Sequence, residues 1–264
     1  MWKSRMLITI DIGNTNSKIA AWDGDQMVAH WRLSTQRQKL TDEYAVLVRS
    51  LFELRGIAIN QIEGCAISCV VPPLTSVFSE LSRTYLNVEP VVIGPGIKTG
   101  MRLLIDTPRE LGADRVANSV AAFRRYGGPV IAIAFGTATA FDVISTEGDY
   151  IGGAIAPGIG ISADALFRAA AKLYHVELAR PPRVIGKNTS HYMQSGIVLG
   201  YAGLVEGLVT RMWQELGTRG TVVATGGQAE VIADIIAGET HVIDHVDPWL
   251  THEGLKMIHA MNRQ

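Results

Sequence analysis

Asp11-Ile12-Gly13-Asn14-Thr15-Asn16-Ser17-Lys18 joins a carboxylate, a glycine and a run of short polar side chains to a lysine. The glycine lets backbone approach a ligand, and Asn14, Thr15, Asn16 and Ser17 set hydrogen-bonding groups beside exposed amides. Asp11, ending an apolar strand, can hold a hydrated magnesium against nucleotide phosphates. Taken alone, the segment reads first as an ordinary hairpin with a polar turn. A second copy shifts that balance: Gly136-Thr137 also sits between apolar runs, and two facing glycine hairpins can clamp a polyphosphate from both sides. Gly226 and Gly227 offer a third backbone platform, suited to a nucleotide at a helix start. Gly112-Ala113-Asp114-Arg115 sets an acid next to a base near a helix start. In phosphoryl transfer such an aspartate can accept the attacking hydroxyl's proton while arginine neutralises phosphate or carboxylate; an exposed ion pair is the alternative.

Other polar clusters carry less. In His241-Val-Ile-Asp-His-Val-Asp247, alternation splits the side chains between two faces and Pro248 closes the run, which favours structural roles over a metal site. Cys65 and Cys69 share one face of a strand and have no partner cluster, so packing is expected of them. There is no Walker A signature, GxSxG elbow or zinc spacing.

The elements that must position these residues come as a repeat. Residues 7–22 superpose on 130–145 with Gly13 over Gly136, and each copy reads as strand, tight turn, strand. A third strand follows each after an acidic turn, Asp23-Gly24-Asp25 or Glu147-Gly148-Asp149. Helices are expected over 42–56, around 75–86, from the Thr107–Glu110 capping box toward Tyr126, at 162–173, over 190–216 and after Gly227. Strands GCAISCVV and VEPVVIG, separated by a helix, imply parallel additions to the first sheet. Two domains of one ancestral design follow, residues 1–127 and 128–264. Gly196, Gly200, Gly203 and Gly207 form a stripe on the long helix, fitted either to close packing inside the domain or to a homodimer seam.

At 264 residues, 47% hydrophobic and 19% charged, the chain is a globular protein with ample material for two cores. A net charge of -1 gives no general pull toward nucleic acid. No apolar run approaches the roughly 20 residues of a membrane helix, and Asp11 interrupts the N-terminal run too early for a signal peptide. No membrane association and a cytoplasmic location are the expectation.

In order along the chain, DIGNTN (11–16), GPGIKTG (94–100), GADR (112–115), FGTAT (135–139), GGAIAPG (152–158), IGKNT (185–189), GLVEG (203–207), ATGG (224–227) and DHVDP (244–248) resemble the type III pantothenate kinases. These belong to the acetate and sugar kinase, Hsp70 and actin superfamily. The resemblance implies an α/β protein of two ribonuclease-H-like domains, each a mixed sheet flanked by helices, with ATP in an interdomain cleft. It also implies magnesium, and transfer of the γ-phosphate to the terminal hydroxyl of pantothenate in coenzyme A synthesis. Carried over by position, Asp11 to Lys18, Gly136, Thr137, Gly226 and Gly227 would bind ATP, with Asp11 holding magnesium through water. Gly112, Ala113, Asp114 and Arg115 would hold pantothenate with Asp114 as proton acceptor, and Ile105 and Thr189 would line its pocket, completed in a homodimer. Three positions depart from the family pattern. Ala134 replaces an aspartate that binds an activating potassium or ammonium ion, Ile105 an aromatic residue and Ala140 a threonine. Activity with little cation dependence is the resulting expectation; the alternative is a binding or regulatory homologue, or one acting on another small hydroxy acid.

Overall fold

The computed structural model describes residues 5–170, 172–236 and 241–263. The chain forms two compact units, one of Met1–Gly100, Asp106–Ala121 and Thr251–Gln264, the other of Met101–Ile105 and Ala122–Leu250. This division differs from the boundary expected at 127/128: residues 122–127 group with the second unit, and the chain from Thr251 returns to the first. Among the described residues, no helix is long and apolar enough to cross a membrane.

The first unit is built on one mixed sheet. Strands β1 (Met6–Ile12), β2 (Asn16–Asp23) and β3 (Gln26–Ser34) form the antiparallel meander. β4 (Ile62–Cys69) and β5 (Pro90–Val92) add in parallel, giving the order β3-β2-β1-β4-β5. Alternation along β1 decides its two faces. Ile8, Ile10 and Ile12 are fully buried in a core with Tyr44, Val48 and Phe52 of α1 (Thr41–Glu53) and Leu74, Phe78 and Leu81 of α2 (Pro72–Tyr85). Each such side chain contributes about 1.5–3 kcal/mol on burial. Thr9 and Asp11 fall on the opposite face.

The second unit repeats the plan. β6 (Val130–Phe135), β7 (Ala138–Ile144) and β8 (Tyr150–Pro157) make the meander, and β9 (Thr221–Thr225) and β10 (His245–Val246) extend it in parallel as β8-β7-β6-β9-β10. Ile131, Ile133 and Phe135 pack with Val205 and Val209 of α6 (Gly200–Leu216) and Ile232 and Ile236 of α7 (Ala229–Ile236).

Helix boundaries correct the sequence reading at three places. The helix expected from Thr107 is instead a single 3-10 turn, Pro108–Glu110, followed by a break, and α3 runs Ala113–Tyr126. The reason is local: Thr107 Oγ1 donates to Glu110 Oε2 at 3.1 Å, so the two capping side chains satisfy each other rather than backbone amides, and Leu111 is extended. α4 spans Ile159–Ala169, starting before the expected residue 162. The helix expected over 190–216 is α5 (Thr189–Gln194), a π-helical turn Ser195–Leu199 and α6. A Cβ on Gly196, Gly200 or Gly203 would meet nothing within 4 Å, so among the described residues these glycines serve no close packing.

α8 (Leu250–Asn262) belongs to the first unit from Thr251 onward. It binds α3 through Thr251 Oγ1, which donates to Asn118 Oδ1 at 2.7 Å, and through Gly254, where a Cβ would collide with the Ala117 carbonyl.

Candidate active site

In the first unit Asp11 and Lys18 face each other as register partners across β1 and β2, and Ser68 of β4 flanks Asp11 on the other side. Asp11 keeps a small opening to solvent, yet protein surrounds its carboxylate. Burial first, then the nearby Asp114 charge, push its pKa up to about 6, against the opposing pull of Lys18 and the Ser68 hydroxyl. Burial lowers the Lys18 pKa, Asp11 counteracts it and Arg32 adds to the depression.

The turn between β1 and β2 is braced from outside. Gly13 N–H donates to Asn16 O at 3.0 Å, and Thr35 Oγ1 donates to Gly13 O at 2.8 Å. The Thr35 proton being committed there, Ser17 is left as donor in its 3.0 Å bond to Thr35. Arg37 Nη2 donates to Asn14 Oδ1 at 3.1 Å. Asn14, Thr15 and Asn16 remain exposed, so the turn is rigid at its base and open at its tip.

Asp114 lies in the first turn of α3, where an acid is favoured by the helix dipole. Its Oδ1 accepts the Arg115 N–H at 2.9 Å and folds back over Gly112, where a Cβ would lie 2.6 Å from it. Glycine is therefore required for this carboxylate conformation. Burial raises the Asp114 pKa; the Arg115 N–H and the Arg115 charge oppose the shift. A carboxylate made more basic in this way is suited to accept a proton.

In the second unit, the β6–β7 turn is one residue tighter than its counterpart. Ile12 pairs with Ser17 around the first turn, but Phe135 pairs with Thr139 around the second, and Gly136 N–H donates to Ala138 O at 3.1 Å. The constant offset read from the sequence thus holds to the turn and slips by one beyond it. Gly226 adjoins this hairpin: Gln228 N–H donates to Phe135 O at 3.3 Å. Thr189 opens α5, capped by Asn188 Oδ1 accepting the His191 N–H at 2.9 Å. It lines a cavity of ≈ 490 Å³ with Ile159, Leu166, Met193, Gly196 and Tyr201. Ile105 ends the segment carried by the Leu103–Tyr150 bridge and the Arg102–Asp149 ion pair.

The structure thus brings together Asp11, Lys18, Asp114 and Arg115 in one unit, and Gly136, Thr137 and Gly226 in the other. Ser68 beside Asp11 and Tyr201 beside Thr139 escaped sequence reasoning, because no motif marks them and long-range register delivers them. In the stretch 241–247, Asp244 Oδ2 accepts the Val222 N–H at 2.8 Å and Asp247 Oδ2 pairs with Arg125 at 3.0 Å, so both carboxylates serve the fold.

Two meander-first mixed sheets flanked by helices define an α/β protein built twice on one plan. Solved structures agree on this fold. The (R)-2-hydroxyglutaryl-CoA dehydratase component A of Acidaminococcus fermentans matches with TM-score 0.57 at 13% identity, over 98% of this chain and 97% of that one. The inorganic polyphosphate/ATP-glucomannokinase of Arthrobacter sp. strain KM matches with TM-score 0.55 at 16% identity, over 98% and 100%. The chain belongs to the type III pantothenate kinase family, whose model matches residues 7–211. It is 65% identical to the type III pantothenate kinase of Roseiflexus sp. (strain RS-1) over 98% of this chain and 100% of that one. To that of Moorella thermoacetica it is 51% identical over 97% and 100%.

Proposed function

We propose that this protein transfers the γ-phosphate of ATP to the terminal hydroxyl of pantothenate, giving 4'-phosphopantothenate, the first step of coenzyme A synthesis. The observation that carries the reading, beyond family membership, is the half-buried Asp114 beside Arg115, near enough to Asp11 for its charge to raise the Asp11 pKa. Asp114 accepts the proton of the attacking hydroxyl, and Arg115 holds the pantothenate carboxylate. Lys18 and the turn Gly13–Asn16 contact the phosphates, as does the turn Gly136–Thr137, and Gly226 and Gly227 contact the nucleoside.

A divalent cation fits the first of these groups. The Asp114 charge raises the cost of ionising Asp11, a like-charge pair that a cation relieves. Magnesium, held by Asp11 through water, supplies neutralisation of the β- and γ-phosphate charge when bound. A potassium or ammonium site at Ala134 does not fit. Its register neighbours are Ala140 and Thr225, so only the Thr225 hydroxyl contributes a side-chain oxygen.

The pocket lined by Thr189 is proposed to close in a homodimer. The open Gly196–Gly200–Gly203 stripe and the exposed Val184, Ile185 and Tyr192 support this. A cytoplasmic site of action accords with two free cysteines.

A coupled assay of ADP release, with magnesium and with or without potassium or ammonium, tests the reading. Pantothenate-dependent turnover is expected, changing little with the monovalent cation, and Asp114→Asn is expected to abolish it while ATP still binds. No pantothenate-dependent ADP release under any cation would overturn the function. A steep potassium requirement would overturn the reading of Ala134.

A further inference from the structure

The β6–β7 turn is held in place by a side chain that the proposed mechanism leaves unused. Tyr201 is the second residue of α6, directly after the π-helical turn Ser195–Leu199. Its ring lies 6.2 Å from that of Phe135, centroid to centroid, tilted by 50°. Phe135 is the last residue of β6 before Gly136. The Tyr201 hydroxyl hydrogen-bonds the Thr139 hydroxyl just beyond the turn, and Thr139 is fully buried. The backbone of Ile159, which opens α4, lies close enough to the same phenol to lower its pKa, against the larger rise from burial. One residue earlier, Gly158 donates its N–H to Thr137 O at 3.0 Å. A Cβ on Gly158 would collide with the Gly136 and Thr137 carbonyls, so the start of α4 is pressed against the turn and admits only glycine.

One phenol therefore ties both strands of the hairpin to the beginnings of α4 and α6. The same ring forms part of the wall of the cavity that contains Thr189, Gly196 and Gly200. A π-turn costs helix hydrogen-bond geometry and concentrates at functional sites. Here it precedes by two residues a side chain of α6 that hydrogen-bonds the hairpin.

We infer that Tyr201 is a positioning residue for phosphoryl transfer, which by holding Phe135 and Thr139 sets the Gly136–Thr137 turn for the ATP phosphates. This rests on the proposed reading of that turn as an ATP contact. Removing the phenol oxygen strands a buried Thr139 hydroxyl, which must rotate or draw in water, and the turn relaxes with it.

The test compares wild type, Tyr201→Phe, Thr139→Val, Thr139→Ser and the Tyr201→Phe/Thr139→Val double variant. Both substrates are varied in the ADP-release assay, and binding of a non-hydrolysable ATP analogue is followed by calorimetry. Tyr201→Phe and Thr139→Val are each expected to raise the KM for ATP and the Kd for the analogue about tenfold. The KM for pantothenate should stay within about twofold, the double variant should be no worse than either single one, and Thr139→Ser should retain wild-type values. Variants that lose only kcat, that affect both substrates equally, or that match wild type overturn the positioning role. A wild-type protein that binds no ATP analogue instead overturns the reading of the turn itself.

Discussion

Asp11 sits where its charge is costly, and that cost is measurable. Its pKa of about 6 in the fold lies above the ordinary 3.8, so folding favours the protonated form. Below pH 3.8 both states hold the proton and nothing is lost. Between 3.8 and 6 the unfolded chain releases a proton that the fold retains, so stability falls as pH rises; above 6 the full penalty, up to about 3 kcal/mol, applies. Asp11→Asn removes it. In the absence of nucleotide, the variant should melt above wild type at pH 8 and alongside it at pH 4, by calorimetry. An equal difference at both pH values would reject the assignment. Asp11, Lys18, Asp114 and Arg115 were legible in the sequence because each lies in a compact local motif. Ser68 was not, since only the parallel pairing of β4 with β1 sets it beside Asp11.

At the scale of elements, the two hairpins were readable from turn chemistry and alternation, which are short-range. Helix limits were less so. Thr107 and Glu110 have the right spacing for a capping box but bond each other, and Asp114 owes its position to α3 starting at Ala113. The seat of α8 was not readable at all, since it depends on Gly254 meeting a backbone carbonyl more than a hundred residues earlier in the chain. Gly254→Ala gains about 1 kcal/mol of helix propensity yet pushes a methyl into the Ala117 carbonyl, at a cost of about 1–3 kcal/mol. A lowered melting temperature is expected; an unchanged or raised one would show that α8 moves aside without penalty.

For the whole molecule, the glycine stripe poses the clearest question. Sequence reasoning left it between internal packing and a seam between copies, and the described residues provide no close neighbour for Gly196, Gly200 or Gly203. Equilibrium sedimentation at micromolar concentration should therefore report a dimer, and a monomer would count against a shared pocket. The sequence by itself determined the duplicated strand–turn–strand plan, the motifs and the family, because these rest on local spacing and on residue identity. Tertiary structure decided the rest. It placed β4 and β9 beside the central strands, returned the C-terminal helix to the first unit, raised the Asp11 and Asp114 pKa values by burial, and set Tyr201 against Thr139. Each depends on contacts between residues distant along the chain, which local spacing does not encode.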